Sequence, residues 1–360
     1  MADGGGPGRG RRSLAAGAAV LGVALATAVW AVARDPSPER GRSPPGATGP
    51  GVSAPTPPAV EPSPRTTPRP RPRPRGRLVI HGTGDVSLDP HYVPNFLRYG
   101  FGYAWSGLGA LFRRDDLTVV NLECPVSTLG SPVEKRFTFR GDPAALPAMR
   151  RAGVEVANLG NNHAYDYGPE ALLDTLRNLR AHRIAPVGAG ADGREATRAA
   201  VFRLRGWRVA VVGIGNVVEP EPESVAGPGK PGVACNDDVR CMVRAVRRAD
   251  RRADLVVVSI HWGVELQPEP RADQVAMARA MIDAGADVIF GHHSHRLGSV
   301  GSYRGRPIFW SLGNFVWPRL SAAGARTAVA EVVVAPGGRI QARLLPVEIE
   351  DSGHPVLLGR

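Results

Sequence analysis

Lysine is almost missing from this 360-residue chain: Lys135 and Lys230 are the two, so arginine supplies the other 43 of 45 positive charges. The bias reads as genome composition rather than function. Cysteine is scarce as well, with three residues, so at most one disulfide can form. Cys235 and Cys241 flank a short polar loop; they are either a disulfide made in an oxidising compartment or two unrelated thiols, with Cys124 left over. No internal repeat is visible. No nucleic-acid recognition motif accompanies the formal net charge of +12, and that charge is lopsided. Residues 1–77 hold twelve Arg against Asp3, Asp35, Glu39 and Glu61, a net of +8, which leaves 12 − 8 = +4 for the remaining 283 residues. A nearly balanced globular part gives no footprint for a nucleic acid.

The charge-rich beginning has its own organisation. Residues 1–12 carry Arg9, Arg11 and Arg12, and the adjoining uncharged run 13–33 is rich in Ala, Val, Leu and Gly. Positive charge before an apolar run holds the N-terminus in the cytoplasm and sends the downstream chain across the membrane. Twenty-one residues suffice for a transmembrane anchor, while Ala31-Val32-Ala33 also fits signal cleavage, so a single-pass membrane protein with an extracytoplasmic domain and a secreted protein are both open. The Arg11-Arg12 pair is a weak match to twin-arginine export. Residues 34–76 are Pro/Arg-rich, with fourteen prolines from Asp35 to Gly76, and are expected to form an extended, disordered linker.

From residue 77 to about 350 the texture is that of an α/β domain, with short apolar runs alternating with helical patterns. Strands are expected at 78–81, 117–121, 154–158, 209–213, 255–260, 288–290, 308–310, 328–334 and 342–347, and helices at 143–152, 169–182, 239–252 and 272–284. Five of these strands run directly into polar residues: Asp85, Glu123, Asn162-His163, His261, and His292-His293-Ser294-His295. Ligands of open α/β sheets bind beyond the carboxyl ends of the strands, so these residues should converge. Carboxylate, amide oxygen and imidazole without thiolate suit a divalent transition metal, Mn, Fe, Zn or Co.

The ordered set Gly84-Asp85, Asn121-Leu122-Glu123-Cys124-Pro125, Asn161-Asn162-His163 with Asp166, His261-Trp262-Gly263-x-Glu265, Gly291-His292-His293-x-His295 and Ser311-Leu312-Gly313-Asn314-Phe315 resembles the CapA family of poly-γ-glutamate capsule biosynthesis proteins. The resemblance covers residues 78 to about 318. That family is similar to calcineurin-like metallophosphoesterases, which implies an α/β sandwich of two mixed β-sheets flanked by helices, here preceded by the export segment. It implies Asp85, Glu123, Asn162, His261, His293 and His295 as metal ligands and His163 as a general acid or charge stabiliser. Two departures bear on the metal count. The usual Asp-x-His is Asp85-Val86-Ser87 here, and Glu123 stands for the bridging Asp, so one or two ions are expected.

Further residues have a supporting claim. Asp166 is either an acceptor that fixes the His163 tautomer or a helix N-cap before Pro169. Glu265 is either a support behind the ligands or faces the substrate. Arg136 and Arg140 are placed to clamp an anionic substrate, since guanidinium pairs bidentately with phosphate or carboxylate, or else they are an exposed strand face. Ser311 to Phe315 is expected to form a turn shaping the site floor, with Asn314 a polar contact. On an extended strand exit the H-x-H spacing points His293 and His295 to one side and His292 away. The expected function is a metal-dependent hydrolase acting on an anionic polymer or its linkage, beside a membrane synthase complex. A general metallophosphoesterase and a non-catalytic polymer-binding scaffold are the alternatives.

Overall fold

In a computed structural model, the residues described are 74–217 and 223–359. The basic stretch 1–12, the apolar run 13–33 and nearly all of the linker 34–76 lie outside the described residues. No helix among the described residues is long and apolar enough to cross a membrane.

The strands are β1 (Leu78–Val86), β2 (Leu117–Leu122), β3 (Val156–Asn158), β4 (Ala185–Val187), β5 (Ala189–Gly190), β6 (Ala200–Leu204), β7 (Trp207–Gly215), β8 (Gly232–Val233), β9 (Leu255–His261), β10 (Val288–His292), β11 (Val300–Tyr303), β12 (Arg306–Phe309), β13 (Asn314–Val316), β14 (Arg326–Val334), β15 (Ile340–Asp351) and β16 (His354–Leu357). One mixed sheet has the order β16-β15-β14-β1-β2-β3-β4, with β13 alongside the end of β1; the other has the order β11-β12-β10-β9-β7-β6. In each, a parallel centre (β1 to β4; β7, β9, β10 and β12) carries antiparallel strands at its flank.

Strand alternation explains the layers. Leu78 and Ile80 of β1, Val119 of β2 and Val332 of β14 point at Val209, Val257, Val288 and Phe290 of the facing sheet, forming the central core. Their neighbours Val120, Leu122 and Ala157 point the other way, onto helices Leu146–Ala152 and Gly168–Ala181. On the far side, Val256, Val258 and Ile289 pack under helices Val239–Asp250 and Ala272–Asp283. Strand β9 is therefore buried from end to end, as a parallel strand covered on both faces must be. The result is two mixed sheets flanked by helices. Where β1 bends toward the second motif, a side chain on Gly84 would sit 2.0 Å from the Gly313 carbonyl, so glycine is required for β13 to close against β1.

Three boundaries differ from those expected. The domain does not stop at 350, because β16 completes the sheet at His354–Leu357. It begins before 77, since Arg75 pairs with Asp254 at 2.8 Å and lies over the Trp207 ring. The segment 311–315 is a turn only as far as Gly313; Asn314 already belongs to β13, in register with Asp85. Cys235 and Cys241 are joined in a disulfide, and Cys124 is a buried free thiol.

Candidate metal centre

The parallel strands deliver their polar ends to one place. Asp85 lies near the end of β1, Glu123 just past β2, Asn162 and His163 in the loop after β3, His261 at the end of β9, and His292 at the end of β10. Asn121, on β2, sits at the centre. Its amide donates to Asp85 Oδ1 at 2.9 Å and Glu123 Oε1 at 2.8 Å, and it lies 3.2 Å from His261 Nδ1. Its own carbonyl oxygen accepts from Asn158 and Asn161. One oxygen of each carboxylate is thereby fixed, and the other is left over.

Those remaining oxygens are the informative atoms. Asp85 Oδ2 and Glu123 Oε2 are buried and have no hydrogen-bond partner. His295 faces both: Nδ1 is 3.1 Å from Asp85 Oδ2 and Nε2 is 4.0 Å from Glu123 Oε2. Nδ1 is paired with Asn314 Oδ1 at 2.8 Å, and its approach to Asp85 Oδ2 is an ion-pair contact without hydrogen-bond alignment. Asn314 thus turns the ring so that Nε2 is free to ligate, the usual part of a neighbour behind a metal-bound imidazole. Asp85, Glu123 and His295 offer ligand atoms within 4.8 Å of one another. Buried polar atoms are nearly always paired, and a pair of buried carboxylates needs a cation. The donor set therefore fits a divalent metal.

The remaining predicted ligands form a second, closed-up group. His261 Nε2 lies 2.8 Å from Asn162 Oδ1, His261 Nδ1 is 3.2 Å from Glu123 Oε1, and the His261 and His293 rings are 4.6 Å apart. A second ion would have to break the His261–Asn162 hydrogen bond, whereas the first group has open oxygens already. Ser87 is buried where the usual first-motif imidazole would project, and His91 is exposed on its loop.

Electrostatics show an acid pair that does not readily carry two charges without a cation, beside three imidazoles held neutral and one, His295, favoured in its charged form. Burial, and then the adjacent Asp85 carboxylate, push Glu123 well above the usual carboxyl range. Burial also pushes Asp85 up, but His295 and His292 outweigh it and leave it below its ordinary value. Burial, reinforced by neighbouring imidazoles, pulls His261 far down, and burial brings His292 and His293 to about 4. Burial lowers His295 too, yet the Asp85 carboxylate beside it prevails and holds it above its usual range. Neutral imidazoles present the lone pair that a metal needs.

His163 is built differently. Its Nδ1 is 2.8 Å from Asp166 Oδ2, which leaves Nε2 for the two cavities that the residue lines. Asp166 does not cap a helix: Tyr167 occupies that position, and Asp166 accepts from His163, from the Phe139 amide at 2.7 Å and from Lys135 Nζ at 2.8 Å. Burial, more than Asp166 offsets, lowers the His163 imidazole below its usual range. Arg136 and Glu265 line the cavity of 380 Å³ with Asn162, His163 and His293. Arg140 does not; its guanidinium stacks 3.6 Å over Tyr167 and donates to the carbonyls of Leu129 and Gly130.

The expectation for His292 is overturned. The backbone after β10 is not extended: His293 has φ 90° and His295 φ 53°, so the chain turns left-handed twice. That turning, rather than alternation, brings both rings to the site. His292 faces inward, with Nε2 2.9 Å from Ser259 Oγ and an unpaired Nδ1 3.6 Å from Asp85 Oδ1. Asn121 and Lys135 were also missed. Lys135 had a signal in the sequence, as one of two lysines in an arginine-rich chain. Its ammonium reaches the Asn162 carbonyl at 2.6 Å, Asp166 and the vicinity of His163 Nδ1, a tetrahedral task unsuited to a planar guanidinium.

The chain is similar to known proteins over most of its length. The family described as "Bacterial capsule synthesis protein PGA_cap" matches residues 79–319. Capsule biosynthesis protein CapA of Bacillus anthracis is 30% identical over 290 residues, 78% of this chain and 70% of its own. PGA biosynthesis protein CapA of Bacillus subtilis (strain 168) is 31% identical over 245 residues, 67% of this chain and 64% of its own. A probable polyglutamine synthesis accessory protein of Mycobacterium tuberculosis is 32% identical over 251 residues, 65% of this chain and 66% of its own.

Proposed function

The chain belongs to the bacterial capsule synthesis protein family PGA_cap, within the metallophosphoesterase-like superfamily, and from that membership we propose that it is a metal-dependent hydrolase of polyglutamate capsule biosynthesis, acting outside the cytoplasmic membrane on an anionic polymer or its linkage. The observation that carries the reading is the pair of orphaned buried oxygens, Asp85 Oδ2 and Glu123 Oε2, facing His295. Asp85, Glu123 and His295 would hold a first ion, and Asn162, His261 and His293 would be the ligands for a second. A divalent transition metal bound there would supply Lewis-acid polarisation of the scissile group and a hydroxide source near neutral pH.

The chain's own residues do the rest. Asp166 keeps the His163 proton on Nδ1, so Nε2 can accept a proton and return it to the leaving group. Lys135 holds the loop that carries Asn162 and His163 and counterbalances the buried Asp166 charge. Arg136, exposed on the cavity lip, is placed to meet an anionic group of the substrate. A purely structural metal would have no use for an acid built with this much support, which favours catalysis over the scaffold reading. The apolar run 13–33 supports anchoring or export, and the disulfide Cys235–Cys241 accords with an oxidising compartment.

The test is metal analysis of the purified chain, then hydrolysis assays of poly-γ-glutamate and an aryl phosphate with that metal restored. Stoichiometric transition metal and metal-dependent cleavage are expected. Absence of bound metal after purification without chelator, with no activity on reconstitution, would sink the reading. Cleavage of the aryl phosphate alone would make the protein a general phosphoesterase. For export, protease added to intact protoplasts should remove the domain.

A further inference from the structure

A second charged feature lies away from the metal centre, on the outer helix layer of the second sheet. Helix Val239–Asp250 buries Met242, Ala245, Val246 and Ala249 and turns arginine outward. Arg244 and Arg248 lie one turn apart, about 6 Å along the axis, and Arg252 follows just past the end of the helix, lining the same groove as Arg248. A solvated helix face would account for this bank alone. Facing it, however, is a second one: Arg194 and Arg198, four residues apart on the segment around helix Gly193–Ala196. The two banks enclose adjoining cavities of 190 and 720 Å³ that share Arg194, Thr197 and Arg248. Like charges at this spacing repel, and neither Arg194, Arg198, Arg248 nor Arg252 has an ion pair among the described residues. Asp238 pairs with Arg244 at 3.5 Å, and Asp192 is committed to capping its helix. Thr197 Oγ1 accepts from Arg248 at 2.7 Å and fixes its guanidinium in the groove. Burial, with Arg244, Arg251 and Arg252 adding to it, pulls that guanidinium below its ordinary value.

We propose that this arginine-walled groove is a binding track for a polycarboxylate chain, separate from the metal centre. Several guanidinium groups on two banks suit a polymer with repeated charges better than one small anion, and each planar fork matches a carboxylate. Ala199, Val201, Ala245 and Ala249 supply a small apolar floor for the methylene and amide units between charges. No aromatic residue lines either cavity, so the base-stacking platform of a single-stranded nucleic-acid groove is missing. The groove is tied to the metal centre structurally. Cys235, at its near end, pairs with Gly215 of β7, and the next residue, Asn216, donates its amide to the His261 carbonyl at 2.9 Å. The disulfide to Cys241 then fixes that end to the first turn of the arginine helix.

The polymer's identity rests on the proposed role in polyglutamate biosynthesis; the groove itself does not. The probe is fluorescently labelled poly-γ-glutamate, titrated by anisotropy into the purified full chain at several salt concentrations, with polyphosphate as the competing polyanion. Arg248→Gln with Arg252→Gln should weaken poly-γ-glutamate binding about tenfold or more and flatten its salt dependence, while metal content and aryl phosphate hydrolysis stay unchanged. Arg247→Gln with Arg279→Gln makes the same charge change at exposed residues that line neither cavity and should shift affinity less than about twofold. Equal losses in both pairs would reduce the effect to bulk charge and overturn the track. So would a loss confined to polyphosphate. A failure here with the metal and activity of the unaltered chain intact would leave the hydrolase reading standing, and the reverse holds if Glu123→Ala abolishes metal binding while polymer binding persists.

Discussion

Strand β1 carries two buried acid–histidine clusters built from the same residue types, and they behave as opposites. Around His81, near the middle of the strand, Asp115 Oδ2 accepts from His81 Nδ1 at 2.7 Å and Thr118 Oγ1 at 2.6 Å, while Glu331 Oε1 accepts from Arg343 at 2.7 Å. His81 Nε2 lies 3.5 Å from Glu331 Oε2. Around Asp85, at the carboxyl end, two carboxylates each keep an orphaned oxygen and share His295. The first cluster has a donor for each of its acids, and its one orphaned atom is a ring nitrogen, His81 Nε2, not a carboxylate oxygen. The second leaves two buried carboxylate oxygens facing one imidazole and no other donor. Residue type does not make a metal site; the strand end and the unsatisfied oxygen do.

The sharpest way to break this contrast is to delete a ligand. Asp85→Ala or Glu123→Ala should lower metal affinity by more than the about 10–100-fold that loss of an outer partner costs, and turnover should fall to background. Elemental analysis beside a kinetic assay decides it; a variant with full metal occupancy would place the ion elsewhere. Smaller in effect, His163→Ala should keep its metal and lose about 100-fold in turnover. If metal leaves together with activity, His163 belongs to the ligand set and its separation from it fails.

A third test sits at the end of β10. His293→Ala removes a ring from the second group, and His292→Ala removes the unpaired Nδ1 that faces Asp85. Both should lose metal, His292→Ala by about tenfold, the scale of an orienting partner. An inert His292→Ala would mean that its bond to Ser259 is its whole role.

These residues also mark where the sequence is readable. Nine strands and four helices are legible from apolar runs and 3.6-residue patterns, because central strands buried on both faces have strong patterns. Edge strands such as β6, with its alternating half-exposed side chains, and three-residue pieces such as β4, with Pro186 in its middle, have weak ones. The convergence at Asp85 follows from strand ends. The orientation of His292 does not, because it depends on positive φ at two histidines, a conformation that residue type does not announce. Asn121 reads in sequence only as the start of a motif, although its amide organises both acids. Arg140 reads as a clamp, yet its guanidinium is spent on Tyr167 and two carbonyls.

The last prediction sets the two clusters against each other by stability alone. Glu123→Gln in metal-free protein replaces a buried acid that repels Asp85 with an amide able to donate toward it, so thermal unfolding should shift upward; with metal added the order should reverse, since a ligand has been lost. Asp115→Ala should do neither. It leaves His81 Nδ1 and Thr118 Oγ1 without their acceptor, a loss of about 1–3 kcal/mol that metal does not alter. Acid sharpens the distinction, because burial, against the pull of His81 and Thr118, raises the Asp115 carboxyl above its usual range. A carboxyl with a raised folded-state pKa takes up its proton more readily in the fold than in the unfolded chain, so its contribution to stability is larger below that range and is lost as pH rises through it. The stability gap between the unaltered protein and Asp115→Ala should therefore widen as pH is lowered from neutral through the raised Asp115 range. Denaturant unfolding at a series of pH values, with and without metal, measures both arms. A metal-dependent gap for Asp115→Ala would make the His81 cluster part of the metal site and erase the distinction between the two ends of β1.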